Sequence, residues 1–537
     1  MVEKKLTKKD AHKKRVEELV EKNQILPKQV DGLKKMIDSP DKENVNLAKE
    51  IITLNIKDAL KIGLNEDQVK AFDDILDFLD DPKEDAFVLK GYAGTGKTFL
   101  VKRIIEFITS TYTSRKIAIT APTNKAVRVL QADAPFNTEE GKGPVFEDVY
   151  NAEARLTYST IHKLLGLKES ISNSGVQSFT PDYKDKNEIS NYQYLILDEV
   201  SMLDDIICRE IMKYSDSIRI IYMGDPAQIP PVNKVDCIPF REQKEFVFRK
   251  AELKKIMRQV GEHPVVDASF LIRNNLTVMH PIPVLESKSN AEGKGIVYIN
   301  SETQRKDVRP ILTELFDSDA FRKNADYAKV IAWRNKTVNY LNAIIREILY
   351  GNDALTYMVG EKLIARKPIF EQKKDGSFWG SKWTIAMNTS EEMEVKDVIV
   401  VTKKFVEGRH QLYATVYQCT VEIWDPVKKM MKDDTIYVIH EDSSLDYRRL
   451  LKETKDLAVK TKDKSAWVTF YNIMKWSADV SYNYAITAHK AQGSTYENVL
   501  LMEEDIDLNK TTLERNRIKY TAYSRPTNTL YILRKNY

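Results

Sequence analysis

Phe87-Val88-Leu89-Lys90-Gly91-Tyr92-Ala93-Gly94-Thr95-Gly96-Lys97-Thr98, followed by the amphipathic stretch Phe99 to Ile108, decides the fold of this 537-residue chain. An apolar run enters a G-x-x-x-x-G-K-T loop, and the loop opens a helix, which is the strand, loop and helix order of a parallel α/β sheet. Gly91, Gly94 and Gly96, with Ala93 and Thr95 between them, let backbone N–H groups wrap phosphates. Lys97 neutralises the β and γ oxygens, and the Thr98 hydroxyl ligates Mg²⁺. ATP and Mg²⁺ are therefore the expected small-molecule partners.

About a hundred residues on, Tyr194-Leu-Ile-Leu ends in Asp198-Glu199, two carboxylates at the carboxyl end of a buried strand, where a parallel sheet binds its ligand. This pair predicts Asp198 on Mg²⁺ and Glu199 orienting or deprotonating the attacking water. A further apolar run ends in Gly224-Asp225-Pro226-Ala227-Gln228. There Gln228 either reaches the γ-phosphate or its attacking water, or belongs to a plain turn.

With 42% apolar and 30% charged residues and no run of about 18 apolar positions, nothing in the chain reads as a bilayer span. The lysine-rich start lacks the apolar core of a secretory signal, so a soluble cytoplasmic protein is expected. Cys208, Cys237 and Cys419 are too few and scattered for a disulfide framework or zinc site. A net charge of +4 neither demands nor excludes a polyanionic partner.

Residues 1–60 read as a helical extension: Val16, Leu19, Val20 and then Leu47, Ile51, Leu54 recur at helical spacing, and lysines at 4, 5, 8, 9, 13 and 14 either form a solvated face or touch nucleic acid. Short apolar runs at Ile117–Thr120, Ile218–Met223, Val330–Trp333, Val499–Met502 and Leu530–Leu533 extend the α/β pattern. They predict one unit over 61–260 and a second over 261–360 and 482–537. Between them, 361–481 has the β-branched texture of a small antiparallel barrel, with a helical extension from Ser444 to Ala478. Its tryptophans Trp379, Trp383 and Trp424 either pack a core or stack on bases. No internal repeat is evident.

From about residue 64 to 535 the chain resembles superfamily 1 helicases. Leu64-Asn65-Glu-Asp-Gln68 is similar to the adenine-reading Q motif, and Thr120-Ala-Pro122-Thr123-Asn124-Lys-Ala resembles motif Ia. Ser159-Thr160-Ile161-His162 resembles motif Ib, and Leu253 to Gln259 is similar to motif IV. Ala485-Ile-Thr487-Ala-His489-Lys490-Ala-Gln492-Gly493-Ser494-Thr495 resembles motif V, and Tyr520-Thr-Ala-Tyr523-Ser524-Arg525 motif VI. The Thr-x-His segment, Gly-Asp-Pro-Ala-Gln-Ile-Pro-Pro and the barrel inserted before motif V most resemble the RecD and Dda group, which moves 5′ to 3′. The helical extension points to the Dda-type helicases of T-even phages. Residues 1–60 and the stretch Gln131 to Tyr158 depart from that pattern.

The resemblance implies two RecA-like P-loop domains closing on one nucleotide, with Gln68 pairing the base, Gly493 at the nucleotide, and Arg258 and Arg525 approaching the γ-phosphate on closure. It implies a single-strand track of Pro122, Thr123, Asn124, His162, Thr487 and His489, with either histidine otherwise a hydrogen-bonded structural residue. Leu167 to Asn187 is where Dda-like proteins carry a β-hairpin wedge, and Phe179 either stacks at the fork or anchors its hairpin. Single-stranded and forked DNA, and replication or recombination proteins, are the implied partners of a monomeric motor. An RNA-directed or purely translocating ATPase, and a nucleotide-switched binding module, are the alternatives that these residues leave open.

Overall fold

The computed structural model describes residues 27–38, 42–81, 83–112, 115–132, 155–172, 174, 176–181, 187–231, 234–255, 257, 263–279, 286–300, 308–374, 381–425 and 430–534. The lysine cluster at 4–14, Val16, Leu19, Val20, Arg258, Gln259, Trp379 and residues 133–154 lie outside them.

The chain enters through helices α1 (Pro27–Asp38), α2 (Lys42–Leu60) and α3 (Glu66–Asp80). It continues through β1 (Ala86–Gly91), α4 (Lys97–Thr111), β2 (Ile117–Ala121), α5 (Asn124–Ala132), β3 (Leu156–Thr160) and the single-turn α6 (Ile161–Leu164). A hairpin, β4 (Leu167–Ile171) and β5 (Gln177–Pro181), precedes β6 (Tyr194–Leu197), α7 (Asp205–Met212), β7 (Arg219–Gly224) and β8 (Phe248–Leu253). The first sheet runs β3-β2-β6-β7-β1-β8 with every pairing parallel. β2 and β6 are buried along their whole length, which is why they read as unbroken apolar runs. α2 buries Ala48, Ile52, Ile56 and Leu60, one face at i, i+4 spacing, and packs on α4 within the core of this domain. Leu47 and Leu54 point to solvent, so the helix is as expected but its buried stripe is a different one.

The second domain begins with α8 (Pro264–Asn274), β9 (Lys288–Ser289), β10 (Gly295–Asn300), α9 (Val308–Phe316), α10 (Asp319–Lys323), β11 (Ala328–Ala332) and α11 (Asn335–Tyr350). An insert of β12 (Lys362–Ala365), β13 (Ile369–Lys374), β14 (Ser381–Met387), β15 (Glu392–Glu407), β16 (His410–Asp425) and β17 (Met430–Ile439) follows. Helices α12 (Glu441–Thr461) and α13 (Lys464–Met474) and strand β18 (Val480–Tyr482) close it. β19 (Ala485–Thr487), the single-turn α14 (Ala488–Ala491), β20 (Tyr496–Met502), α15 (Glu503–Ile506), α16 (Thr512–Tyr523) and β21 (Pro526–Arg534) then complete the second domain. The insert is an antiparallel sheet, β17-β16-β15-β12-β18, against whose core Ile369 and Met387 of the β13–β14 hairpin pack. Trp383 packs at the edge of a second apolar cluster under α12 and α13, while Trp424 meets Arg128 of α5, guanidinium to ring centroid 4.7 Å.

The second α/β sheet runs β19-β11-β20-β21-β10-β9, with only β9 antiparallel. Set beside the first, the two sheets match strand for strand: β3 with β19, β2 with β11, β6 with β20, β7 with β21, β1 with β10. This alignment exposes a repeat that the sequence hides. β2 ends in Ala121-Pro-Thr-Asn124-Lys125-Ala-Val127 and β11 in Ala332-Trp-Arg-Asn335-Lys336-Thr-Val338. β3 ends in Thr160-Ile-His162-Lys163 and β19 in Thr487-Ala-His489-Lys490.

Candidate active site

Gly94 and Gly96 take left-handed backbone, φ 79° and 77°, and a Cβ on Gly91 would lie 2.7 Å from Lys97 Cγ. The loop therefore needs glycine at all three positions. Gly96 caps α4 without a side-chain acceptor, which leaves the first-turn N–H groups of the helix for an anion. Lys97 Nζ donates to the carbonyls of Gly91 (2.5 Å) and Tyr92 (3.2 Å), so its ammonium sits inside the loop, and Thr98 follows in the first turn. Thr95 is buried, its hydroxyl donating to Tyr92 O at 2.8 Å.

Gln68 is fully buried beside the loop, its Nε2 donating to the carbonyls of Thr95 (3.1 Å) and Gly96 (3.4 Å), and its Oε1 accepting from Asn65 N in a capping box that starts α3. The amide braces the loop at the expected end of the nucleotide site.

β6 delivers Asp198 and Glu199 to the same end of the sheet. Glu199 takes left-handed backbone, φ 53° and ψ 38°, a conformation a non-glycine residue holds only at a cost of order 1–3 kcal/mol. That turn aims its carboxylate into the cleft, where Oε2 is buried without a hydrogen-bond partner; Gln228 Oε1 is in the same position. An unpartnered buried carboxylate oxygen within the field of Lys97, and a second unpartnered buried acceptor on Gln228, fit a cation or water held there together with a phosphate. Burial raises the Glu199 carboxyl above its ordinary range, opposed by the charges of Arg525 and Lys97. Asp198 is raised by burial and then by the Glu199 charge.

This has a consequence for stability. A carboxyl held above its unfolded value keeps its proton in the native state where the unfolded chain has lost it, so native stability falls as pH rises between the two values. Asp198→Asn is accordingly expected to raise the melting temperature of the ligand-free protein more at pH 8 than at pH 5. Equal shifts at both pH values would show that Asp198 carries no such burden.

The second domain meets this cleft through Gly493 and Arg525, which the sequence had singled out, and through Tyr520, Gln492 and Thr521, which it had not. Tyr520 of α16 donates to Asp225 Oδ2 (2.5 Å), and the Ala93 N–H of the loop points at both that carboxylate and the tyrosine oxygen, 3.1 Å each. Asp225 Oδ1 accepts from Ala227 N at 2.9 Å. Gln492 Nε2 bridges back to Ser201 Oγ (3.0 Å) and Ile229 O (3.1 Å), and Thr521 Oγ1 accepts from Ile229 N. Gly493, φ 74°, lies so close to the first domain that a Cβ there would be 3.6 Å from Glu199 Cγ and 3.5 Å from Ala126 Cβ. Arg525 is buried, donating to Thr521 O (2.8 Å), Ser494 O (3.0 Å) and Ser524 Oγ (2.8 Å). Asp225 and Tyr520 stood in quoted motifs, but only the fold shows them joined.

The expected strand-binding residues fall at the carboxyl ends of matching strands. Thr123, Thr160 and Thr487 each cap the helix that follows, accepting from Ala126 N (3.2 Å), Lys163 N (3.3 Å) and Lys490 N (3.4 Å). Their hydroxyls thus fix the turns that carry Asn124, His162 and His489. His162 is exposed; His489 is partly buried, which lowers its imidazole pKa and favours the neutral ring. Pro122 ends the β2 turn. Asn124 Nδ2 donates to Glu391 of the insert, a contact that sequence could not place. Asn335 and Lys336, equivalent to Asn124 and Lys125, are exposed in the second domain and were missed because their match only acquires meaning once β2 and β11 are seen to correspond. Phe179 pairs in register with Glu169, and its side chain lies outside the described residues. The hairpin itself is fastened: Glu169 is ion-paired with Lys475 at the end of α13, and Ile171 packs with Ala458 and Trp467.

The sequence profile of the AAA domain family matches residues 80–234, the stretch that carries the loop, both carboxylates and Gln228. The ATP-dependent DNA helicase dda of Enterobacteria phage T4 is 26% identical over 454 residues, 82% of this chain and 92% of that protein. This chain is thus similar to a DNA helicase along most of the length of both proteins. It is also 26% identical over 497 residues to an uncharacterised protein of Acanthamoeba polyphaga mimivirus, covering 85% of this chain and 97% of that one. The RecD subunit of the RecBCD enzyme from Buchnera aphidicola subsp. Schizaphis graminum is 23% identical over 462 residues, 83% of this chain and 69% of that one. Among solved structures, the Pif1 helicase of Candida albicans aligns with 88% of this chain and 94% of its own at 15% identity and a TM-score of 0.41.

Proposed function

We propose that this chain is an ATP-driven DNA helicase that moves 5′ to 3′ along single-stranded DNA, each cycle of domain closure and release advancing it along the strand. The observation that carries this reading is the seam between the two sheets: Tyr520, Gln492, Gly493 and Arg525 of the second domain converge on Ala93, Ser201, Glu199 and Asp225 of the first. Charge on a nucleotide bound to the loop would then favour the closed arrangement, and its loss would favour opening. Mg²⁺, held by Thr98 and Asp198, would neutralise phosphate charge. Glu199 orients the attacking water and takes up its proton, Gln228 steadies that water, and Arg525 offsets charge developing on the leaving γ-phosphoryl group.

The asparagines Asn124 and Asn335 and the Thr-x-His turns Thr160 to His162 and Thr487 to His489 support stepping. Each domain carries the same two grips at equivalent strand ends, so one strand crossing both would meet two similar contact sets whose spacing changes with closure. The 5′ to 3′ direction rests on similarity to the phage T4 protein and the RecD group. Strand displacement on duplexes with a 5′ or a 3′ tail, with ATP and with a non-hydrolysable analogue, tests it. Opening of 5′-tailed substrates only, and only with ATP, is expected; opening from 3′ tails alone overturns the polarity.

Duplex separation needs a rigid wedge, and the hairpin is held by its contacts with α12 and α13. Lys475→Ala leaves Glu169 without its cation in a nearly buried setting, side chains 8% and 12% exposed. The variant is expected to unwind several-fold more slowly than the parent while its ATPase on single-stranded DNA stays unchanged. Parallel loss of both activities would place Lys475 in general folding instead. Phe179→Ala is expected to show the same separation if the ring stacks at the fork, where one base is worth about 1–3 kcal/mol.

A further inference from the structure

Lys125, one residue beyond the proposed DNA contact Asn124, does not face the strand track openly. Its ammonium lies 2.8 Å from Asp326 Oδ1 at the start of the second domain's β11, 3.0 Å from Glu392 Oε2 of the insert, and 4.6 Å from the ring centroid of Tyr496. Its side chain is 16% exposed. Three separate parts of the molecule therefore meet on one cation of the first domain. Lys329, almost fully buried, adds a second cation 5.2 Å from the same ring and donates to Asn483 O. Partial burial opposes ionisation of Glu392, yet Lys125 and Lys329 together pull its carboxyl down to about 2.

Tyr496 opens β20, and what lies beside it is the catalytic arginine. Tyr496 N donates to Arg525 O at 3.1 Å, Thr527 Oγ1 donates to Tyr496 O, and Arg525 Nη1 in turn holds Ser494 O, two residues before Tyr496. The Tyr496 backbone is thus tied to the Arg525 carbonyl and the Thr527 side chain, and the Arg525 guanidinium to Ser494, while Lys125 touches the Tyr496 ring. On the other side Lys125 sits in the first turn of α5, whose Thr123 cap and Asn124 head the proposed strand track and whose Ala126 lies against Gly493. A displacement of that turn by a bound strand necessarily changes the Lys125 contacts with Tyr496 and Asp326. Charged groups packed this closely have few alternative arrangements, because an uncompensated buried charge is costly. That is the behaviour required of a coupling element with discrete states rather than a soft spring.

We propose that Lys125 is a positioning residue that couples strand binding to hydrolysis, by setting the pose of Tyr496 and through it of Arg525. The proposal rests on the reading of this chain as a DNA-stimulated ATPase. A direct phosphate contact by Lys125 is disfavoured by its surroundings, since Asp326 and Glu392 already flank the ammonium and would repel a phosphate.

The test compares ATP hydrolysis with and without an oligothymidine strand, and binding of that strand at several salt concentrations, for the parent, Lys125→Met, Lys125→Arg and the double variant Lys125→Met with Glu392→Gln. The double variant removes both charges and so remains informative where the single change fails to fold. Lys125→Met and the double variant are expected to keep the strand-free rate within about two-fold and to lose about ten-fold of the maximal stimulation, within the range of measured couplings. Strand affinity and its salt dependence are expected to stay as in the parent, and Lys125→Arg to recover part of the stimulation. Full stimulation in Lys125→Met or in the double variant overturns the proposal. So does weaker strand binding with a salt slope reduced by about one charge, which marks a phosphate contact. A parent enzyme that no strand stimulates would overturn the functional reading itself, an outcome separate from these.

Discussion

The Glu199→Gln protein is expected to bind ATP about as well as the parent and to hydrolyse it about 10²- to 10⁴-fold more slowly, the span usual for loss of a general base. The amide keeps the shape of the carboxylate and so the left-handed turn at φ 53° and the contact with Gly493. What it loses is the negative charge on the buried, unpartnered Oε2, the atom best placed to take a proton from water. Lys97→Ala is the contrasting change, because it removes the ammonium that now sits among the loop carbonyls and would instead meet phosphate oxygens. That variant is expected to lose nucleotide affinity, whereas Glu199→Gln retains it. Equilibrium binding of a fluorescent ATP analogue together with single-turnover hydrolysis separates the two, and rapid hydrolysis by Glu199→Gln would remove this carboxylate from the role.

The central strands and the loop were legible because their physics is local. β2 and β6 are buried along their whole length, and β1, β7 and β20 over residues 86–89, 220–224 and 498–502, so the sequence shows apolar runs there, and the G-x-x-x-x-G-K-T loop needs its glycines in a fixed order. The edge strands β3 and β8, and β10 beside the two-residue β9, carry half-exposed positions and lacked that signal. α2 shows a subtler limit. Leu47, Ile51 and Leu54 have helical spacing, but Ala48, Ile52 and Ile56 have it too, and only the position of α4 decides which stripe is covered.

At the site, the residues that terminate strands were readable, while those that act through long-range partners were not. The contacts of the Gln68 amide with Thr95 and Gly96 had no sequence signal, because they depend on α3 lying against the loop. Tyr520 and Asp225 are 295 residues apart, and no spacing rule joins them. The Asn-Lys repeat illustrates the same point from the other direction: a short match is indistinguishable from chance until two sheets of the same strand order give both copies the same address.

Arg525→Ala is expected to lower hydrolysis at saturating DNA by about 10³-fold or more, within the range of about 10³ to 10⁵ associated with an arginine that stabilises phosphoryl-transfer charge, with little change in ATP affinity. The guanidinium reaches the Glu199 side of the cleft from the second domain, where its charge opposes the burial-driven rise of the Glu199 carboxyl. Three acceptors of its own domain, Thr521 O, Ser494 O and Ser524 Oγ, hold the planar fork. An arginine so fixed costs no reorganisation when charge develops on the phosphoryl oxygens, and it acts mainly on the transition state. A lysine keeps the charge but cannot serve three divergent acceptors at once, so Arg525→Lys should fall between parent and alanine variant. Because the residue is buried, rates are to be compared well below the melting temperature of each protein. An unchanged turnover number in Arg525→Ala under those conditions would rule out the proposed role. A loss matched by an equal loss of ATP affinity would assign Arg525 to ground-state binding instead.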